Sequence, residues 1–146
     1  MADQTPASDV VRVLVLCTGN SARSQIAEAL LARAGGPRVV VASAGTHPAE
    51  RVHPDAIAQL AEMGIDWSAA RPKTIDAVIG NPWNLIITVC DNAQESCPVF
   101  PGQPTALHWG MPDPTAVEDP VARREAFAQV ARDLDAQIAE LVAEWA

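Results

Sequence analysis

Val13-Leu-Val-Leu-Cys17-Thr-Gly-Asn-Ser-Ala-Arg23-Ser24 is the stretch whose reading decides the fold. An apolar run ends in a cysteine. A short Gly/Asn/Ser loop follows, and Gln25-Ile-Ala-Glu-Ala-Leu-Leu-Ala-Arg33 then carries helical periodicity. That order is strand, tight loop, helix N-terminus. A helix start offers unpaired N–H groups and the positive end of a dipole, so it suits an anion. Successive loop amides can form a nest around the same charge. Arg23 adds a planar fork able to hold two oxygens of an oxyanion. A cysteine at the floor of such a cradle is expected as a thiolate near neutral pH, because the surrounding partial charges favour the anion. The pattern reads as the Cys17 thiolate aimed at the central atom of a bound tetrahedral oxyanion. Thr18, Gly19, Asn20, Ser21, Ala22, Arg23 and Ser24 form the cradle. A buried strand-end cysteine beside a surface arginine is the plainer reading; the strand-to-helix junction argues against it.

The chain continues as alternating strands and helices. Residues 10–17 read as a first strand, apolar throughout except Arg12, which suits a parallel strand buried on both faces. A helix over 22–34 stops at Gly35-Gly36-Pro37, and a second strand over 38–43 leads to Ala44-Gly45-Thr46. Pro54 opens a helix that runs to Met63 and Gly64. One or two helical turns are expected over 74–79, then the most β-like stretch, 85–89, ending at Cys90. Asp91 to Gln94 reads as a helix cap, 106–109 as a fourth strand, and Asp119-Pro120 as the start of a long final helix. That helix carries Phe127, Val130, Leu134, Ile138, Leu141 and Trp145 on one face. The expected fold is an α/β domain over 10–146, with residues 1–9 a flexible arm. Its four-stranded parallel sheet has the order 2-1-3-4 and is flanked by helices. In that order the ligand crevice lies between the carboxyl ends of strands one and three. Those strands end in Cys17 and Cys90, and adjacent strands lie ~4.8 Å apart. The topology therefore brings two thiols into one pocket.

The net charge of −8 over 146 residues argues against nucleic acid as a partner. No apolar run approaches membrane-spanning length. Residues 1–9 lack a basic segment followed by an apolar one, so a cytoplasmic protein is expected. Its three cysteines are then expected to be catalytic or redox-active rather than structural. Were residues 91–96 helical, the Cα atoms of Cys90 and Cys97 would stand ~10 Å apart. A disulfide needs about 4.4–6.8 Å. A bond between these two would require that segment to unwind, so it is read as ordered when reduced and rearranged when oxidised.

Cys17-Thr-Gly-Asn-Ser-Ala-Arg-Ser-Gln25 resembles the phosphate-binding loop of the low-molecular-weight protein tyrosine phosphatase superfamily. Within it, the chain is most similar to the thioredoxin-coupled arsenate reductases. Thr88-Val-Cys90-Asp-Asn-Ala-Gln-Glu-Ser-Cys97-Pro-Val-Phe-Pro101 resembles the reductases' second and third cysteine segment, spacing included. His108-Trp-Gly-Met-Pro-Asp113-Pro resembles their acid loop. The resemblance covers roughly residues 11–145. It implies a low-molecular-weight phosphatase-like fold and reduction of arsenate to arsenite, with phosphate or sulfate as mimics. Cys17 would attack arsenic, with Asp113 as general acid for the leaving oxygen. Cys90 would then attack Cys17, releasing arsenite, and Cys97 would attack Cys90, leaving a Cys90–Cys97 disulfide for external thioredoxin. No resident cofactor is implied.

Asn20 is expected to shape the loop and Ser24 to stabilise the thiolate, although both fit ordinary loop and capping duty. Ser43 and Glu28 look like residues that some relatives place near a potassium ion. Lys73 stands where those relatives have an aspartate; its ammonium would substitute for the ion, so no metal is expected. Ala22 replaces a loop cysteine found in some relatives. His47, His53 and His108 lack ligand spacing and read as structural, and Trp67 and Trp83 as packing. Two other functions stay open. One is a tyrosine phosphatase using Cys17, Arg23 and Asp113 alone. The other is an oxyanion sensor without turnover.

Overall fold

In the computed structural model, residues 10–90, 102 and 104–145 are described. The arm over 1–9, the cap expected at Asp91, and Cys97 lie outside them. The apolar run forms β1 (Val11–Cys17), and Val13 through Cys17 are all buried. Such a strand needs partners on both edges and cover on both faces, and it has them. β2 (Val39–Gly45) and β3 (Leu85–Thr88) flank β1 in parallel, and β4 (Thr105–His108) pairs parallel with β3. The sheet order is β2-β1-β3-β4, as the alternation predicts. Leu16 pairs with Thr88, so β1 and β3 end together and deliver Cys17 and Cys90 to one rim.

Among the described residues three α-helices pack with the sheet: α1 (Arg23–Gly35), α2 (Pro54–Glu62) and α3 (Pro120–Ala143). α3 buries Phe127, Val130, Ala131, Leu134, Ile138 and Leu141; Ala131 joins the expected face, and Trp145, expected on it, falls past the end of the helix and is half-buried. Each large apolar side chain so buried contributes about 1.5–3 kcal/mol. Asp119 caps α3 by accepting from the Ala122 N–H at 2.8 Å. His53 caps α2 through Nδ1 and stacks 5.0 Å from the Phe127 ring, tying α2 to α3. His108 Nδ1 lies 2.7 Å from Thr88 Oγ1, joining β4 to β3.

Most boundaries move by a residue or two, and three of these shifts have a clear cause. β2 runs on to Gly45 because Cys17 pairs with Gly45 to the very end of β1. Residues 74–79 yield only a 3-10 turn at Ile75–Ala77, capped by Thr74. β4 begins one residue early, at Thr105, whose N–H bonds the Asn84 carbonyl ahead of β3.

Candidate active site

The loop from Cys17 to Ala22 joins β1 to α1 in five residues and needs one left-handed turn. Asn20 makes it, with φ +50, a conformation that asparagine tolerates better than most side chains. The Asn20 side chain, fully buried, then works as a bracket. Nδ2 donates to Ser24 Oγ at 2.8 Å and Ser43 Oγ at 2.9 Å; Oδ1 accepts from the Lys73 N–H at 2.8 Å. Ala22, the N-cap of α1, has no capping side chain, so no side-chain oxygen competes with an anion there.

A belt of following chain fastens the loop from outside. N–H groups of Thr46, His47, Ala49 and His53 donate to the carbonyls of Cys17, Thr18, Gly19 and Ser21. Asn20 O accepts from Gln25 Nε2 and Ala22 O from the Ile26 N–H. All six carbonyls from Cys17 to Ala22 are therefore engaged by groups that do not line the cleft.

That cleft holds about 180 Å³ and is walled by Cys17, Thr18, Gly19, Ser21, Ala22 and Arg23 on one side and by Asp113 and Thr115 on the other. Asn20 and Ser24 sit behind the wall, both fully buried. Arg23 Nη1 donates to Met111 O at 2.9 Å, and Nη2 lies 3.8 Å from Asp113 Oδ2. Asp113 also accepts from Thr115 N–H at 3.0 Å and Thr115 Oγ1 at 2.7 Å. The arginine and the candidate acid thus face each other across the mouth.

Cys17 Sγ is 3.0 Å from Ser24 Oγ and accepts the Asn20 N–H at 3.2 Å. Cys90, also buried, lies just past the end of β3 and 3.2 Å from Thr18 Oγ1. Its nearness corrects the simple thiolate expectation. The neighbouring Cys90 thiol pushes the Cys17 thiol well up, and burial pushes it further. Donation from the Ser24 side chain and from the Ser24 and Asn20 backbones opposes both. Two neighbouring thiols hold one negative charge between them far more readily than two.

Behind the loop, Ser43 Oγ donates to Glu28 Oε1 at 2.6 Å, and Lys73 Nζ stands 3.6 Å from the same oxygen. The chain itself supplies the positive charge beside Glu28. Among the described residues no group of three or more His, Cys, Asp or Glu side chains could hold a metal. Trp83 packs as expected, its Nε1 donating to Val78 O at 2.8 Å.

The topology argument expected Cys17 and Cys90 in one pocket, and the resemblance added Asp113; Cys17, Arg23 and Asp113 line the cleft, whereas Cys90 is not among its lining residues and lies against Thr18. Sequence reasoning missed Thr115, although Asp113-Pro-Thr115 carries the signature of an Asx turn. It also missed the Met111 carbonyl and the Thr18 contact to Cys90, which no local pattern announces.

Residues 12–146 match the family model described as low molecular weight phosphotyrosine protein phosphatase. An arsenate reductase of Brevibacillus brevis is 41% identical over 112 residues, 77% of this chain and 83% of that protein. A solved structure of an arsenate reductase in the oxidized state superposes with TM-score 0.78 at 27% identity, covering 92% of this chain and 98% of that one. The thioredoxin-dependent arsenate reductase of Corynebacterium glutamicum superposes with TM-score 0.70 at 34% identity, over 95% of this chain and 63% of that one.

Proposed function

The chain belongs to the low molecular weight phosphotyrosine protein phosphatase family, and from that premise we propose that it reduces arsenate to arsenite with electrons from thioredoxin. The observation that carries this reading is a second buried cysteine, Cys90, just past the end of the strand beside β1 and 3.2 Å from Thr18 Oγ1, the residue next to Cys17. A phosphatase needs water at the covalent intermediate; a second thiol beside the nucleophile gives that intermediate another fate. Among the described residues no aromatic side chain lines the cleft, which suits a small inorganic oxyanion better than an aryl ester.

In the proposed cycle, Cys17 sulfur displaces one oxygen of arsenate, which leaves as water with a proton from Asp113. The loop N–H groups and the Arg23 fork balance the remaining charge. Cys90 sulfur then attacks Cys17 sulfur. The sulfur–arsenic bond breaks, its electron pair passes to arsenic, and arsenite leaves behind a Cys17–Cys90 disulfide. Cys97 attacks Cys90 and frees Cys17 as a thiolate. Thioredoxin reduces the Cys90–Cys97 disulfide by the same exchange chemistry. No resident cofactor enters. Residues 10–146 act as one domain in this reading, in the cytoplasm, where such thiols stay reduced. Among the described residues no helix is long and apolar enough to cross a membrane.

The test is NADPH consumption with arsenate, thioredoxin and thioredoxin reductase, for wild type and the variants Cys17→Ser, Cys90→Ser and Cys97→Ser. All three variants lose turnover, and mass spectrometry of arsenate-treated Cys97→Ser shows a Cys17–Cys90 bond. Cys97→Ser keeps whatever slow phosphatase activity Cys17, Arg23 and Asp113 support. Full reductase turnover in Cys97→Ser rejects the relay.

A further inference from the structure

Gln25 is polar, fully buried and one residue beyond the cradle, yet it does not line the cleft. Its amide is committed at both ends. Nε2 lies 3.1 Å from each of Asn20 O, Asn20 Oδ1 and Arg71 O. Oε1 accepts from Trp67 Nε1 at 2.8 Å. An indole N–H can only donate and three carbonyl oxygens can only accept, so the amide has one allowed orientation. Reversing it would set oxygen against three oxygens and NH2 against N–H.

The order of donors then continues inward. With Oδ1 held by Gln25 and by the Lys73 N–H, Asn20 must present Nδ2 to Ser24 Oγ. Ser24 Oγ, accepting there, keeps its own proton for Cys17 Sγ at 3.0 Å. An ionised sulfur accepts only, so this last bond stabilises the charged nucleophile together with the Asn20 N–H. Gln25 also holds the carbonyl of the residue whose N–H reaches Cys17 Sγ.

We propose that Gln25, anchored by the Trp67 indole, is a positioning residue for the Cys17 nucleophile. It fixes the left-handed Asn20 and the direction of every hydrogen bond between the 66–73 connection and the sulfur. Trp67, lining an outer cavity with Glu28, Arg71 and Lys73, thereby couples that surface to the cradle. The proposal rests on Cys17 as the nucleophile but not on arsenate as its substrate.

The test follows the pH dependence of Cys17 alkylation by iodoacetamide in a Cys90→Ser/Cys97→Ser background, where Cys17 is the sole thiol. Gln25→Met keeps the volume and neutrality and removes both amide ends; Trp67→Phe removes only the anchor. Gln25→Met moves the alkylation midpoint up by about half a pH unit, and Trp67→Phe moves it less in the same direction. In the three-cysteine chain, Gln25→Met lowers kcat for arsenate more than it changes KM. A lowered Tm with an unmoved midpoint in Gln25→Met makes the residue merely structural and overturns the proposal. Should Gln25→Met not fold, an unmoved midpoint in Trp67→Phe overturns it. Absence of arsenate turnover in every variant would strike the reductase reading alone, since alkylation needs no arsenate.

Discussion

Cys17 and the neighbouring Cys90 set the pH behaviour of the site. The Cys90 thiol is the largest influence raising the Cys17 thiol, so removing it should ease ionisation. Cys90→Ala is expected to shift Cys17 alkylation toward lower pH, read by mass spectrometry of the Cys17 peptide across a pH series. Linkage gives a companion effect of definite sign. A folded thiol whose pKa is raised stays protonated at a pH where the unfolded one has ionised. Above the ordinary thiol range near pH ~8.5 the unfolded chain binds fewer protons, and stability falls as pH rises, by up to about 1.4 kcal/mol per pH unit. Below that range both states are protonated and the contribution vanishes. Urea unfolding at pH 8 and 10 should therefore show a smaller alkaline loss in Cys90→Ala than in the wild type. Cys17 and Arg23 stood out in the sequence because they sit at a recognisable strand-to-helix junction, whereas Asp113 stood out only through its resemblance to a known acid loop. Gln25 and Trp67 did not, since their roles arise only when 66–73 folds back onto the start of α1.

At the level of elements, the cradle depends on the end of β2 as much as on β1. A Cβ at Gly45 would lie 2.5 Å from Thr18 O and 3.1 Å from Asn20 N, both backbone atoms of the loop. Gly45→Ala must push that loop outward. The sheet has alternative room to relax only at the loop's expense, so the fold should survive while the cradle does not. Turnover with arsenate is expected to fall by tenfold or more, about the effect of misplacing a reacting group by a fraction of an ångström. Circular dichroism should remain native. Steady-state kinetics with unchanged kcat/KM would contradict this. The apolar run of β1 and the repeating face of α3 declared themselves in the sequence, because burial on both faces leaves a continuous apolar run and burial along one stripe a periodic one. β4 was offset by one residue, and 74–79 shrank to a single tight turn. Neither has enough buried apolar surface of its own to fix its ends; Asn84 and Thr74 fix them by hydrogen bonds instead.

At the scale of the whole molecule, a chain of net charge −8 must attract a dianion. The cradle's attraction acts over a few ångströms and the overall repulsion over longer distances, where salt screens it first. Raising ionic strength from about 0.01 to 0.1 M with a salt whose anion is too large for the cleft should raise kcat/KM for arsenate by roughly twofold. A fall would show that the local field dominates at every distance.

The belt that engages all six loop carbonyls has one more consequence. A cradle whose backbone carbonyls are all turned to other partners greets any tetrahedral anion alike and learns nothing about the atom at its centre. Phosphate, common wherever cells live, would be admitted as readily as arsenate. The sorting then falls to a later moment, when the sulfur-bound atom either accepts an electron pair or does not. Arsenic(V) does; phosphorus(V) does not, and must depart as it came. The catalyst would spend much of its time idly occupied, and its working speed in a phosphate-rich medium would be governed by how briefly each such visit lasts.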